Sequence, residues 1–285
     1  MKRIAIQGVG GAFHDIAARG YFDNEEVETV PCHTFKDVFK AIDKDDNLLG
    51  IIAIENTIAG SLLQNHNLLR ESGCLIIGEY KLRISHQLAL LPGQKMKKIN
   101  EVCYHPIALM QCEDFLDAHK NLRAVETDDT ALSAKEIAEN KITGRAAICS
   151  RLAAELYGLE ILAEGIETNK RNFTRFLIIA KPDLAYKMNR QMVLNKSTLV
   201  FTLPHEEGSL SKVLSVLSFY HMNLTKIQSL PIIGREWEYQ FYINLTFDDY
   251  ERYRQSLDAI RPLTNEFQIL GEYREGKTPE DPLIH

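Results

Sequence analysis

A chain of 285 residues, 45% hydrophobic and 25% charged, has material for more than one core and the composition of an ordinary globular protein. Its net charge of -6 excludes a broad basic surface, and with it nucleic acid as the main partner, so an anionic ligand must be met by a local cluster such as Lys170, Arg171 and Arg175. The cysteines, Cys32, Cys74, Cys103, Cys112 and Cys149, form no CxxC pair and suit reduced thiols in the cytoplasm.

The N-terminus runs straight into Lys2-Arg3-Ile4-Ala5-Ile6 without an apolar signal core, and the stretch from 48 to 54 is far too short to span a bilayer, so neither targeting nor membrane insertion is expected. Residues 4 to 7 read as a strand, Gly8-Val9-Gly10-Gly11 as a turn, and a helix is expected from Phe13 or His14. This arrangement gathers backbone N–H groups at a positive dipole end, which suits a carboxylate or phosphate; equally, the glycines allow a tight strand-to-helix connection. Phe13 stands where GxGxxG would need its third glycine, so a dinucleotide fold is not expected. Phe35, Val38, Phe39 and Ile42 mark a helix, and residues 49 to 54 a buried strand that stops at Glu55-Asn56-Thr57. Ligands of open α/β sheets collect outside the carboxyl ends of strands, which makes Glu55, Asn56, Thr57 and Ser61 candidates for the crevice of the glycine turn; Glu55 would also serve as a capping acceptor. His66, on the next helix, is read as a surface residue.

From Cys74 the pattern changes to strands over 75 to 80 and 82 to 90, where a second lobe is expected to begin. A strand over 101 to 104 leads to a helix opened by His105-Pro106, with proline in its first turn. A strand over 121 to 127 follows, then the cap Asp129-Thr130 and a helix to Glu139, a strand over 146 to 149, and a helix capped by Ser150. Asn172, Thr174 and Arg175 then precede the apolar run Leu177-Ile178-Ile179-Ala180, the mark of a buried strand with polar side chains at its rim, although an edge strand would read the same way. Beyond it, residues 184 to 196 read as a linker, and the pattern thereafter is βαββαβ, with strands over 198 to 203, 224 to 229, 237 to 247 and 267 to 273 and helices over 209 to 221 and 250 to 260. The tail, 276 to 285, reads as disordered.

Five ordered motifs carry a resemblance: Gly8-x-x-Gly11-x-Phe13; Ile54-Glu55-Asn56 with Gly60-Ser61; His105-Pro106-x-Ala108-x-x-Gln111-Cys112; Ala153-Ala154-x-x-Tyr157-Gly158-Leu159; and Asn172-x-Thr174-Arg175-Phe176. Together they resemble prephenate dehydratase over residues 1 to 182. The resemblance implies an α/β fold, two-lobed like type 2 periplasmic binding proteins, with lobe 1 over about 1–75 and 167–182 and lobe 2 over about 76–166. It implies the conversion of prephenate into phenylpyruvate, water and carbon dioxide without a cofactor or metal. Thr174, Glu55, Asn56 and Gln111 fall on catalytic positions, and Arg175, Phe176, Asn172, Gly11 and Ser61 on substrate-binding ones. Tyr104 stands where the family commonly has Ser. On this reading Arg175 and the glycine turn hold carboxylates, Phe173 or Phe176 excludes water, and Thr174, backed by Glu55 or an ordered water, donates to the leaving hydroxyl.

Residues 197–275 resemble an ACT regulatory domain of ferredoxin-like fold, which implies feedback inhibition by L-phenylalanine through Gly208, Ser209, Leu210, Asn223, Leu224 and Thr225 at a subunit interface. Here the chain departs from the family, reading Gln228-Ser229-Leu230-Pro231 in place of Glu-Ser-Arg-Pro. A charge-assisted bond to the effector's ammonium is lost, so weaker or altered control is expected. Outward apolar edges suggest a homodimer or homotetramer. The rivals are arogenate dehydratase and a two-lobed amino-acid sensor without catalysis; metal hydrolysis lacks a ligand spacing at His86, His105, Cys103 and Cys112.

Overall fold

The computed structural model describes residues 1–23, 25–232, 234–236 and 238–277. The tail from 278 onward and Trp237, expected to open a strand, lie outside the described residues. The chain divides into two compact units, one gathering Met1–Leu62 with Tyr80–Phe176, the other Leu63–Glu79 with Leu177–Gly276.

The elements begin with β1 (Lys2–Gln7), α1 (Phe13–Tyr21), β2 (Val27–Cys32), α2 (Phe35–Lys44), β3 (Leu49–Asn56), β4 (Gly60–Ser61), α3 (Leu63–Ser72) and β5 (Leu75–Arg83). They continue with β6 (Gln87–Leu90), β7 (Glu101–Tyr104), α4 (Pro106–Gln111), α5 (Glu113–Asp117), β8 (Arg123–Glu126), α6 (Thr130–Glu139), β9 (Arg145–Cys149), α7 (Arg151–Leu156), β10 (Glu160–Ala163) and β11 (Phe173–Ala180). A first sheet has the order β2-β1-β3-β11-β5, with β4 paired to β3, and a second the order β10-β6-β9-β7-β8. β5 and β11 have residues in both units. In the first sheet β1 runs parallel to β2 and β3. Because β3 is buried along almost its whole length, it reads as a continuous apolar run rather than an alternating one.

Caps fix where the helices around the second sheet begin. The Asp129 carboxylate accepts from the Leu132 N–H at 2.8 Å to start α6, and the Ser150 hydroxyl accepts from the Ala153 N–H at 2.9 Å to start α7. His105 caps α4 through Nδ1, and Pro106 occupies its first turn. Small side chains, Ala131, Ala134, Ala147, Ala153 and Ala154, let these helices lie close to β6 and β9.

The other unit contains α3, α8 (Pro182–Asn189), β12 (Lys196–Thr202), α9 (Ser209–Phe219), β13 (Asn223–Pro231), β14 (Tyr239–Thr246), α10 (Tyr250–Ile260) and β15 (Asn265–Tyr273). Its four-stranded sheet has the order β13-β14-β12-β15, all neighbours antiparallel. Leu199, Phe201, Val213, Leu217, Ile243, Tyr253 and Leu257 form its core between sheet and helices. Among the described residues no helix is long and apolar enough to cross a membrane.

Three expectations are corrected, and one strand lies outside them. β5 is a strand of the first sheet and β6 of the second, so the change of sheet falls at residues 84–86 rather than 76. β2 went unread because Glu28 and Pro31 interrupt its alternation, though Pro31 still pairs along the ladder. The segment read as a linker holds α8, opened by Pro182 at its first turn. His66 is buried, not superficial: its ring packs edge-on against Tyr242 at 5.0 Å, and its carbonyl accepts from the Tyr242 hydroxyl at 3.1 Å.

Candidate active site

A cavity of about 150 Å³ opens at the end of β1, with Gln7, and at the start of α1, with Phe13 and His14. Ala53, Asn56, Thr174 and Phe176 continue its wall from β3 and β11 of the first sheet, with Phe35 from the start of α2 and Leu62 from just beyond β4. Ile84, His86, His105, Ile107, Ala108, Gln111, Asp128, Asp129 and Thr130 close it from α4, the start of α6 and the connections around the second sheet. An apolar void of this size accepts a six-membered ring, and Phe13, Phe35, Ile84 and Phe176 supply apolar walls for one. Two carboxylates line it, and among the described lining residues there is no Lys or Arg.

Burial decides the protonation of the titratable walls. His14, with its Nε2 accepting from the Ala53 N–H at 3.3 Å, is pushed down to about 3 and is neutral. Burial also lowers His105 and raises the Asp129 carboxyl, against the backbone N–H of Leu132 and Ala131.

Behind the wall runs a continuous amide network. Asn56 Oδ1 accepts from the backbone N–H of Ile58 at 2.9 Å and Ala59 at 2.8 Å. Its Nδ2 donates to Asn172 Oδ1 at 2.8 Å, to the Phe173 carbonyl at 3.1 Å and to Thr174 Oγ1 at 2.9 Å. Gln111 Nε2 donates to Asn56 Oδ1 at 3.2 Å and Asn172 Oδ1 at 3.3 Å, and Gln111 Oε1 meets His86 Nε2 at 2.8 Å. The structure thus brings together Asn56, Gln111, Asn172 and Thr174, with Phe176 two residues on along the same strand face, edge-on to His14 at 5.0 Å. Asn172 is fully buried and lines no part of the cavity, so it steadies the other amides.

The remaining expected residues lie elsewhere. Neighbouring residues of a strand point to opposite faces, so Glu55 and Arg175 turn away from Asn56 and Thr174 and pair with each other, Arg175 Nε to Glu55 Oε1 at 2.5 Å. Neither lines the cavity, so in this arrangement Arg175 does not reach a carboxylate there and Glu55 does not back Thr174. Ser61 sits on β4 opposite Glu55 and is also outside the wall. Gly11 serves close packing rather than anion binding: its N–H donates to Asp15 at 2.8 Å, its carbonyl accepts from the Ser150 hydroxyl at 2.6 Å, and a Cβ there would fall 2.6 Å from the Ala153 Cα. Sequence reasoning missed His14, His86 and Asp128 as wall residues; only the place of His86 just before an apolar strand, and of Asp128 just before a helix cap, hints at them.

In the other unit Ser209 and Leu210 line a cavity of about 190 Å³ with Leu203, Glu206, Tyr239 and Phe241. Gly208, at φ +77°, precedes them as the cap of α9. Asn223, Leu224 and Thr225 open β13, away from that cavity, with the Asn223 amide donating to Thr246 at 3.1 Å and the Thr225 hydroxyl to the Asn244 carbonyl at 3.3 Å.

Comparison with known proteins agrees with this frame. Arogenate dehydratase 1 of Petunia hybrida is 35% identical over 294 residues, spanning 97% of this chain and 68% of that protein. The structure of a prephenate dehydratase from Arthrobacter aurescens in complex with L-Phe matches with TM-score 0.82 at 25% identity, covering 95% of this chain and 89% of that one. A protein described as a novel type of quorum-quenching acylase matches with TM-score 0.81 at 30% identity, covering 99% and 100%. A family model described as prephenate dehydratase matches residues 4–184, most of the chain including every residue of the cavity wall, and the chain belongs to the prephenate dehydratase family.

Proposed function

We propose that the chain converts prephenate into phenylpyruvate, with Thr174 as the proton donor to the departing hydroxyl. The observation that carries this is the orientation of Thr174. Two backbone N–H groups fix Asn56 Oδ1 as an acceptor, so in the contact with Thr174 Oγ1 the Asn56 Nδ2 can only be the donor. The threonine's own hydrogen is left to point into the cavity it lines. The ring carboxylate leaves as carbon dioxide, its C–C electron pair enters the ring, the C–O bond breaks, and the oxygen takes the Thr174 hydrogen to leave as water; solvent then reprotonates Thr174. Aromatisation supplies the drive, and apolar walls leave the ring carboxylate less well solvated than in water. Thr174→Ala lowers turnover by roughly 10²–10⁴-fold while Thr174→Ser keeps much of it. Phenylpyruvate release at nearly the wild-type rate from a folded Thr174→Ala protein would overturn this role.

One observation favours arogenate as the substrate: Asp128 and Asp129, in a wall without Lys or Arg among its described residues, suit an ammonium group. Side-by-side turnover of the two substrates decides, and Asp128→Asn should depress arogenate turnover selectively. Acyl transfer, suggested by the acylase relative, has less support, because the neighbour that holds the Thr174 oxygen is an amide and not a base.

The two sheets flanking the cavity suit the lobes of a type 2 periplasmic-binding-protein-like catalytic domain over 1–182, and the βαββαβ sheet suits a ferredoxin-like ACT domain over 197–275. We read the protein as cytoplasmic and as a homodimer or homotetramer, which light scattering tests. Phenylalanine control is expected to be weak: Gln228 donates to the Ser229 carbonyl at 3.0 Å, and Leu230 is buried where the family has Arg. Calorimetry showing tight phenylalanine binding, with inhibition at low concentration, would contradict this.

A further inference from the structure

The cavity wall holds a histidine that the amide network leaves half used. His86 is 2% exposed and held from three sides. Its backbone N–H donates to Glu167 at 2.9 Å, its carbonyl accepts from the Ile166 N–H at 2.9 Å, and its ring meets Phe13 edge-on at 5.3 Å. Nε2 is bonded to Gln111; Nδ1 is buried and has no partner among the described residues. A buried polar atom left unpaired is costly, so its retention in a residue of the cavity wall calls for a reason.

The network also determines which nitrogen carries the hydrogen. Asn56 Oδ1 is fixed as an acceptor by Ile58 and Ala59. Gln111 Nε2 therefore points at it, and Gln111 Oε1 faces His86. An amide oxygen only accepts, so His86 donates from Nε2, and Nδ1 carries a bare lone pair. Burial lowers the histidine, outweighing the Gln111 bond and the Glu167 charge, and the ring is neutral.

Resting on the dehydration reading, we propose that His86 Nδ1 accepts the hydrogen of the substrate's departing hydroxyl while Thr174 donates to its oxygen. The hydroxyl leaves with its own hydrogen, so His86 neither gains nor loses a proton. As the oxygen becomes water its hydrogens grow more acidic, so the bond to the imidazole strengthens toward the transition state and the contact favours turnover over binding. A residue that merely held Gln111 in place would need Nε2 alone.

Two substitutions separate these roles, because glutamine can present an N–H near the Nε2 position and asparagine an oxygen near the Nδ1 position. His86→Gln, keeping the donor and losing the acceptor, lowers kcat roughly 10- to 100-fold with KM little changed. His86→Asn, keeping the acceptor, stays closer to the wild type. The reverse order, or equal losses in two folded variants, overturns the proposal. Nitrogen-15 NMR of histidine-labelled wild-type protein, with His86 identified through its proximity to the Phe13 ring, decides even if a variant does not fold: an unprotonated Nδ1 and protonated Nε2 at neutral pH are expected, and a protonated Nδ1 overturns it. Wild-type protein inert toward both prephenate and arogenate would instead defeat the dehydration reading, leaving the tautomer to be read independently.

Discussion

Residues 55 and 56, like 174 and 175, are neighbours in the chain and strangers in space. On one face of β3 and β11, Asn56 and Thr174 are tied into an uncharged amide network beside the cavity; on the other, Glu55 and Arg175 form an ion pair outside it. The difference separates two tasks. A donor hydroxyl must be oriented without a competing charge, whereas an ion pair with a half-buried carboxylate and a buried guanidinium holds strands together.

The sharpest way to break the comparison is Asn56→Asp. The substitution keeps the acceptor for Ile58 and Ala59 but turns a second oxygen toward the Thr174 hydroxyl, the Phe173 carbonyl and Asn172 Oδ1. Thr174 would then donate to residue 56 rather than to a ligand. Turnover should fall by about 10²-fold or more, measured beside a melting curve to show that the fold persists. Undiminished turnover would mean that the network does not orient Thr174.

Arg175→Met tests the opposite face. Loss of the guanidinium leaves Glu55 without this partner, but Glu55 is one-third exposed and water recovers part of the cost. Unfolding free energy should drop by about 2 kcal/mol, with turnover reduced far less than in Asn56→Asp. A large loss of turnover at unchanged stability would put Arg175 back at the site.

How much of this was legible differs by residue. Buried runs such as residues 49–54 and 176–180, and caps such as Asp129 and Ser150, announce themselves locally, so most elements could be read from the chain. The alternation that separates Thr174 from Arg175 is legible too, as the edge-strand reading of that motif, because period-two geometry sets neighbours in a strand on opposite faces. What could not be read is the network. It joins residues 56, 86, 111, 172 and 174, contacts up to 118 residues apart along the chain, and no local pattern encodes which amide meets which. His66 failed for the same reason: its partner, Tyr242, is 176 residues away.

The smallest effect expected concerns pH and the cavity's uncharged character. His14 titrates near pH 3 when folded and near 6.5 when unfolded. Between those values the unfolded chain holds a proton that the folded chain does not, so acidification favours unfolding. Stability from this residue is complete above pH 6.5 and is lost as pH falls toward 3; His86 and His105, also lowered, act in the same direction. His14→Gln, whose amide oxygen can still accept from the Ala53 N–H, removes one such proton. Its melting temperature should therefore decline less than the wild type's between pH 7 and pH 4.5. Parallel declines would show that the His14 ring admits a proton without unfolding, and that this side of the cavity tolerates a charge as the outer face of β3 and β11 does.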